Sequence, residues 1–295
     1  MNNSDISPAA PLKGAAAGPP APRQFGQAAA DARGRTAGPP RPEAPAASES
    51  ASRRMPLFVV TAGRVLAQLR RDHRTVGLML FVPSLLVGLF AWMFSSGVLF
   101  QRVGPIVVAL FPFIFMFTVA SIATLRERAG GTLERLMTTP IRRADILVGY
   151  ALAFSLIAIV QTSLTVAFAI GVCGLEVEGP LVQLLAFSVV DAIAGTALGL
   201  LVSAFARTEF QAVQFLPVVV FPQILLGGVF MPREQMPAVL KAVSDYLPLS
   251  YAIEGVESAA RGLGGWDLWR PFAIVAVFAL AALALGSLTL ARRTP

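Results

Sequence analysis

Six long apolar runs, parted by short polar segments, dominate the pattern of this chain. They extend from about Val76 to Phe94, Pro105 to Thr124, Asp145 to Val172, Leu181 to Phe205, Phe210 to Phe230 and Trp269 to Leu290. Each offers close to the roughly 20 residues an α-helix needs to cross a bilayer core. Backbone in hydrocarbon must satisfy its own polar groups, and a helix does so within one segment. The pattern therefore predicts an all-α integral membrane protein with six transmembrane helices.

The segments between the runs carry their own patterns. From Pro56 to Arg74, Leu57, Val60, Leu66 and Leu69 share one face and Arg64 and Arg70 another. That predicts an interfacial helix ahead of the first span, or a basic flank that orients it. Ser95-Ser96-Gly97 loosens the chain, and Arg102 is expected in a short loop before the second span. Leu125 to Pro140 is the most charged piece of the apolar region. Gly130-Gly131 stops one helix, Thr132 caps the next, and Pro140 lies just beyond its end. Leu133, Leu136 and Met137 fall at i, i+3 and i+4, so this short helix has one apolar face. Such a helix either docks a partner or rests on lipid headgroups. After the fifth run, Met236, Val239, Leu240, Val243 and Leu247 form a stripe interrupted by charge, expected as an amphipathic segment at the outer interface. Leu247 to Tyr251 then turns the chain, and a polar stretch follows through Arg261 and Gly264-Gly265.

Some runs are interrupted. The second carries Pro112 among Phe111, Phe113, Phe115 and Phe117. Asp145 is placed to cap the third. Asp191 sits near the middle of the fourth, where an ionisable group faces protein or a water-filled cavity. It either lies on a transport path or packs against polar neighbours such as Ser188 and Thr196. Pro217, Pro222 and Gly227-Gly228 break or kink the fifth.

Composition agrees: 55% hydrophobic residues, 14% charged and a mean hydropathy of +0.68, against about 25% charged in soluble domains. Residues 1–52 are rich in Ala, Pro and Gly and are expected to form a disordered tail without a signal-peptide core. Residues 53–295 then form the transmembrane domain. The net charge of +7 is first a statement about topology. One side of the six-span arrangement collects fourteen arginines: 53, 54, 64, 70, 71, 74, 126, 128, 135, 142, 143, 207, 292 and 293. The other holds five basic residues, Arg102, Arg233, Lys241, Arg261 and Arg270. Both termini and the Arg126–Pro140 loop are therefore expected in the cytoplasm, and Arg233–Tyr251 outside.

The chemistry excluded is equally informative. One cysteine, Cys173, and one histidine, His73, rule out an internal disulfide and a zinc site of the usual kinds. With only Lys13 and Lys241, no phosphate-binding Gly-x-x-x-x-Gly-Lys motif exists. No Gly-x-Ser-x-Gly elbow appears, and the basic residues lack the aromatic interleaving of a nucleic-acid surface. The chain is expected to be no enzyme and to bind no nucleic acid. A transporter of this kind draws on a gradient or on a partner that hydrolyses nucleotide.

Arg126-Glu127-Arg128, followed by Gly131-Thr132-Leu133-Glu134-Arg135-Leu136 and Thr139-Pro140, resembles the cytoplasmic loop of the type-two ABC exporter permeases. These include the daunorubicin-resistance-type drug exporters and the nodulation and polysaccharide exporters. Gly227-Gly228-Val229-Phe230-Met231-Pro232, with Leu247-Pro248-Leu249-Ser250-Tyr251, resembles the same family's pattern after the fifth span. The resemblance covers roughly Met55 to Arg293; the extra Ala129-Gly130 and the long tail depart from it. It implies that Arg126, Glu127, Gly131, Thr132, Leu133, Glu134, Arg135 and Leu136 form a coupling loop that docks on a separate ABC ATPase. ATP would be bound by that subunit, and this chain would need no cofactor. It further implies a second permease copy, as homodimer or heterodimer, in a bacterial inner membrane. The expected substrate is amphipathic, drug-like or lipid-like, with Asp191, Phe113, Phe117, Pro217 and Pro222 as residues of the path. The alternatives are export of a polysaccharide or lipid-linked glycan, for which three Trp and three Tyr give little support, and a non-transporting anchor for an ATPase.

Overall fold

The computed structural model describes residues 56–95, 97–130 and 143–291. The expected tail and Gly131–Leu136 of the expected coupling loop lie outside these residues. Among the described residues every regular element is helical, and six segments are long and apolar enough to cross a membrane.

Helix α1 (Leu57–Arg71) is the expected amphipathic helix, and Thr61 and Val65 are its buried positions. It packs closely on α4 (Arg143–Gly171): a Cβ on Gly149 would lie 2.6 Å from Thr61 Cβ. The amphipathic stretch does not continue to Arg74. Asp72 breaks it and caps α2 (His73–Met93), accepting hydrogen bonds from Thr75 N–H at 3.1 Å and Thr75 O–H at 2.6 Å. Those bonds, the hydroxyl's first, hold the Asp72 carboxyl below its ordinary range. The first span accordingly starts at His73 rather than near Val76.

Helix α3 (Val98–Ala129) has 32 residues and is about 48 Å long, well beyond the roughly 30 Å of a hydrocarbon core. It therefore starts before Pro105 and takes in Arg102, which is helical rather than in a loop. Its other end carries Arg126, Glu127 and Arg128, also helical. Helix α4 begins at Arg143, so Asp145 lies in the first turn instead of at the cap.

Helix α5 (Leu181–Ser203) is the centre of the bundle and packs on α3, α4, α9 (Pro248–Ala260) and α10 (Trp266–Ala291). Its closest approach is to α3. A Cβ on Gly195 would lie 2.5 Å from the Phe113 carbonyl oxygen, and one on Gly199 2.3 Å from that of Phe117. Two glycines four apart let the helix backbones touch, the small-residue packing of membrane helices.

The fifth span is interrupted, as its prolines require. Helix α6 (Glu209–Phe215) passes through a wide π-helical turn (Leu216–Val220) into α7 (Phe221–Leu226). Pro217 and Pro222 lack the amide hydrogens that an unbroken helix needs, and the wide turn absorbs the mismatch. The helix stops at Leu226, short of Phe230, and Gly228 takes φ +99° to turn the chain.

The largest departure from expectation follows. The charged stripe forms a 3-10 turn (Arg233–Gln235) and then the short helix α8 (Ala238–Ser244), which keeps Val239, Leu240 and Val243 exposed. Leu247–Tyr251 does not merely turn the chain, and most of the expected polar stretch is helical, with only residues 261–265 left as a connection. Pro248 starts α9, a helix with eleven of its thirteen residues buried. Small residues permit this: a Cβ on Gly255 would overlap the Phe187 ring at 2.1 Å. The sixth span, α10, then begins at Trp266, three residues before its expected start.

Candidate functional site

The bundle has two chemically different ends. One, the basic end, gathers α1, the last turn of α3 and the first residues of the fifth span. Here three consecutive residues of α3 reach three different elements. Arg126 donates from Nε and Nη2 to the two carboxylate oxygens of Glu209, both at 2.8 Å, joining α3 to α6. Glu127 is buried and accepts from Arg64 Nη2 on α1 at 2.8 Å. The same Arg64 nitrogen donates to Tyr150 Oη on α4 at 2.9 Å. Arg128 Nη1 donates to the Ser203 carbonyl at the end of α5 at 2.6 Å. The last turn of α3 is thus tied to α1, α5 and α6, and through Arg64 of α1 to α4, immediately before the chain enters residues 131–142.

The bonds differ in weight. Arg126 and Glu209 are both more than half exposed, so solvent screening leaves their bidentate pair a modest contributor. Arg64–Glu127 is partly shielded, with the carboxylate the more buried partner. Removing Arg64 would leave a buried charge without compensation. Thr208 fixes the start of the fifth span by accepting from Gln211 N–H at 3.2 Å.

At the opposite, acidic end, a cavity of about 750 Å³ opens between the start of α3, the Gly227–Pro232 turn and α9. Glu176, Glu178, Glu254 and Glu257 line it together with Arg102 and Arg261. Arg233 pins its wall. It donates from Nη1 to Glu254 at 2.9 Å and from Nη2 to Asp245, and its guanidinium sits 5.0 Å from the Tyr251 ring centre. Burial pushes the Glu257 carboxyl above the ordinary glutamate value of 4.5, with Arg261 and Arg102 opposing the rise. A raised carboxyl favours the folded state when protonated. Its contribution is present below about 4.5 and is lost as pH rises through the folded value. Glu257→Gln is expected to flatten that limb of Tm against pH in the purified chain. Equal slopes in variant and parent would show that Glu257 burial does not shape stability.

The expected site residues fall into separate places. Arg126 and Glu127 sit at the basic end as described; Gly131, Thr132, Leu133, Glu134, Arg135 and Leu136 are outside the described residues. Phe113 and Phe117 are fully buried between α3 and α5, in one apolar cluster with Val220. Asp191 is 1% exposed within the bundle. Pro217 and Pro222 are exposed on the broken fifth span. The five expected path residues therefore do not line one channel within a single chain. Arg64, Tyr150 and the carboxylates of the acidic cavity were not singled out from sequence as site residues. Glu127 between two arginines, and a lone Arg64 among apolar residues, were the available signals for the first joint.

The family model described as ABC-2 type transporter matches residues 56–260. The chain is 28% identical over 188 residues to "Probable multidrug ABC transporter permease YbhR" of Escherichia coli (strain K12), covering 61% of this chain and 50% of that protein. It is 26% identical over 181 residues to "Linearmycin resistance permease protein LnrN" of Bacillus subtilis (strain 168), covering 59% and 46%. It is also 26% identical over 174 residues to "ABC transporter G family member 20" of Dictyostelium discoideum, covering 58% and 24%. The chain spans half or less of the length of these relatives.

Proposed function

The chain belongs to the ABC-2 type transporter family, and on that premise we propose that it is the transmembrane permease subunit of an ABC exporter. A separate ABC ATPase binds and hydrolyses ATP; a second permease copy completes the membrane pathway. The basic end faces the cytoplasm, in keeping with the arginine count, and the host bilayer is a bacterial inner membrane. The substrate is amphipathic, drug-like or lipid-like, a reading supported by relatives named for multidrug transport and linearmycin resistance.

The observation that carries this reading is the fastening of the last turn of α3 to α1, α5 and α6, and through Arg64 to α4. A loop that follows so firmly tied a helix end transmits a push from a docked ATPase to α1, α4, α5 and the fifth span together. Residues 131–136 make the contact, with Leu133 and Leu136 on the docking face. The path follows the exposed side of the broken fifth span, at Pro217 and Pro222, against the second copy. Phe113 and Phe117 pack behind that side, and Asp191 lies deeper in the protomer. The acidic cavity is the exit.

Leu136→Glu tests the docking claim, because it puts a charge on the apolar face. The ATPase is expected to co-purify with the parent chain in mild detergent and to be lost from the variant, while membrane insertion stays normal. Wild-type amounts of complex and transport in Leu136→Glu would sink the proposal.

A further inference from the structure

Two of the bundle's apolar clusters lie at different depths along α2, α4 and α5. One, toward the acidic end, includes Val87 of α2, Val166 of α4 and Phe187 of α5. The other, toward the basic end, includes Met79, Ala158 and Ala192 of the same helices. Between them each helix turns polar: Ser84 on α2, Gln161, Thr162 and Thr165 on α4, Ser188 and Asp191 on α5, all buried. The depths agree. Gln161 lies ten residues before the end of α4 and Asp191 ten residues after the start of α5, about 15 Å from the same end of the bundle. Ser84 O–H and Thr165 Oγ1 approach to 3.4 Å, closing the layer between α2 and α4.

This layer is short of partners. Both carboxylate oxygens of Asp191, both side-chain polar atoms of Gln161, Thr162 Oγ1 and Ser188 Oγ have no hydrogen-bond partner among the described residues. Pro83 and Pro112, in the same depth range, remove two further backbone donors. The ionisable residues on the neighbouring helices stay near their ends: His73 and Arg74 on α2; Arg102, Arg126, Glu127 and Arg128 on α3; Arg143 and Asp145 on α4; Asp267 and Arg270 on α10. Glu209 opens α6, and Glu254 and Glu257 of α9 line the acidic cavity. Among the described residues, none supplies a counter-charge at the depth of Asp191.

Asp191 is the one carboxylate of a buried layer that also holds hydroxyl and amide oxygens; a single such charge balances one positive charge, not two, and oxygen donors suit a hard cation. From this we propose that the Asp191 layer, inside one protomer, is a binding site for one small monovalent cation, a proton or a sodium ion, that locks α2, α4 and α5 together. This site does not depend on the export reading.

The test uses the full chain purified in detergent. Tm is read as sodium chloride is exchanged for choline chloride at constant ionic strength, at acid and alkaline pH, in parent and Asp191→Asn. A Tm raised by sodium at alkaline pH in the parent alone assigns sodium. A Tm raised by acid in the parent alone, without sodium dependence, assigns the proton. Identical responses in parent and Asp191→Asn overturn the site. Gln161→Leu keeps the charge and removes one oxygen donor, so it decides the matter if Asp191→Asn does not fold. Its half-saturating sodium concentration, or its apparent proton affinity, is expected to weaken about tenfold; an unchanged midpoint overturns the site.

Discussion

Gly199→Leu is expected to prevent stable folding of the bundle. Even the first added carbon would stand 2.3 Å from the Phe117 carbonyl oxygen, 3.0 Å from its carbonyl carbon and 3.1 Å from its Cα. Those are backbone atoms of a helix that is itself buried along this stretch, so no side-chain rotation relieves the clash. Gly195 meets Phe113 in the same way one turn earlier, and α5 cannot slide along α3 without moving the second contact onto a Cβ. Overpacking a well-filled core costs about 1–3 kcal/mol; here two helices must separate along their closest seam, and the cost is expected at the upper end or beyond. Gly199→Ala supplies the graded control, with a smaller loss. Detergent-solubilised yield and Tm are the measurements. A Gly199→Leu chain with parental Tm would mean that α3 and α5 do not touch as described.

Arg64→Met is expected to cost about 1.5–3 kcal/mol in the purified chain and to reduce transport further than stability alone explains. Methionine keeps much of the aliphatic stem but leaves Glu127 buried and unpaired and removes the bond to Tyr150. Removing both charges is less damaging than removing one. Arg64→Met with Glu127→Gln should therefore recover part of the lost Tm, the coupling that a double-mutant cycle reads. Under the proposed function the joint also links α1 to the loop-bearing end of α3. The double variant should then regain stability without regaining the full ATPase-driven transport. Additive losses in Tm would show that Arg64 and Glu127 act independently.

The spans were legible because bilayer-length apolar runs leave few alternatives: a backbone in hydrocarbon must be helical, and six runs gave six candidate spans. The break in the fifth was legible too, since Pro217 and Pro222 lack amide hydrogens in any context. Boundaries were harder. Arg102 and Arg126–Arg128 read as loop because they are charged, yet a long helix can carry charge beyond the hydrocarbon at both ends, as α3 does. Asp72 read as one more polar residue in a basic stretch, and only its bonds to Thr75 show it to be the cap that separates α1 from α2.

Pro248–Ala260 illustrates what local pattern does not contain. Its serines, glycine and two glutamates look like a polar connection in sequence, whereas the small size of its serines, alanines and Gly255 is what lets α9 pack against α5 and α10. Gly195 and Gly199 carry the same lesson: their spacing is visible in the chain, but which carbonyls they meet is not. The sequence by itself determined the membrane class, the number of apolar spans and the broken fifth helix, because these follow from solvent, length and missing hydrogens. The tertiary structure decided which residues answer one another. Arg64 finds Glu127 63 residues away, and Arg126 finds Glu209 83 residues away, because helix packing, not proximity along the chain, sets the partners of a charge.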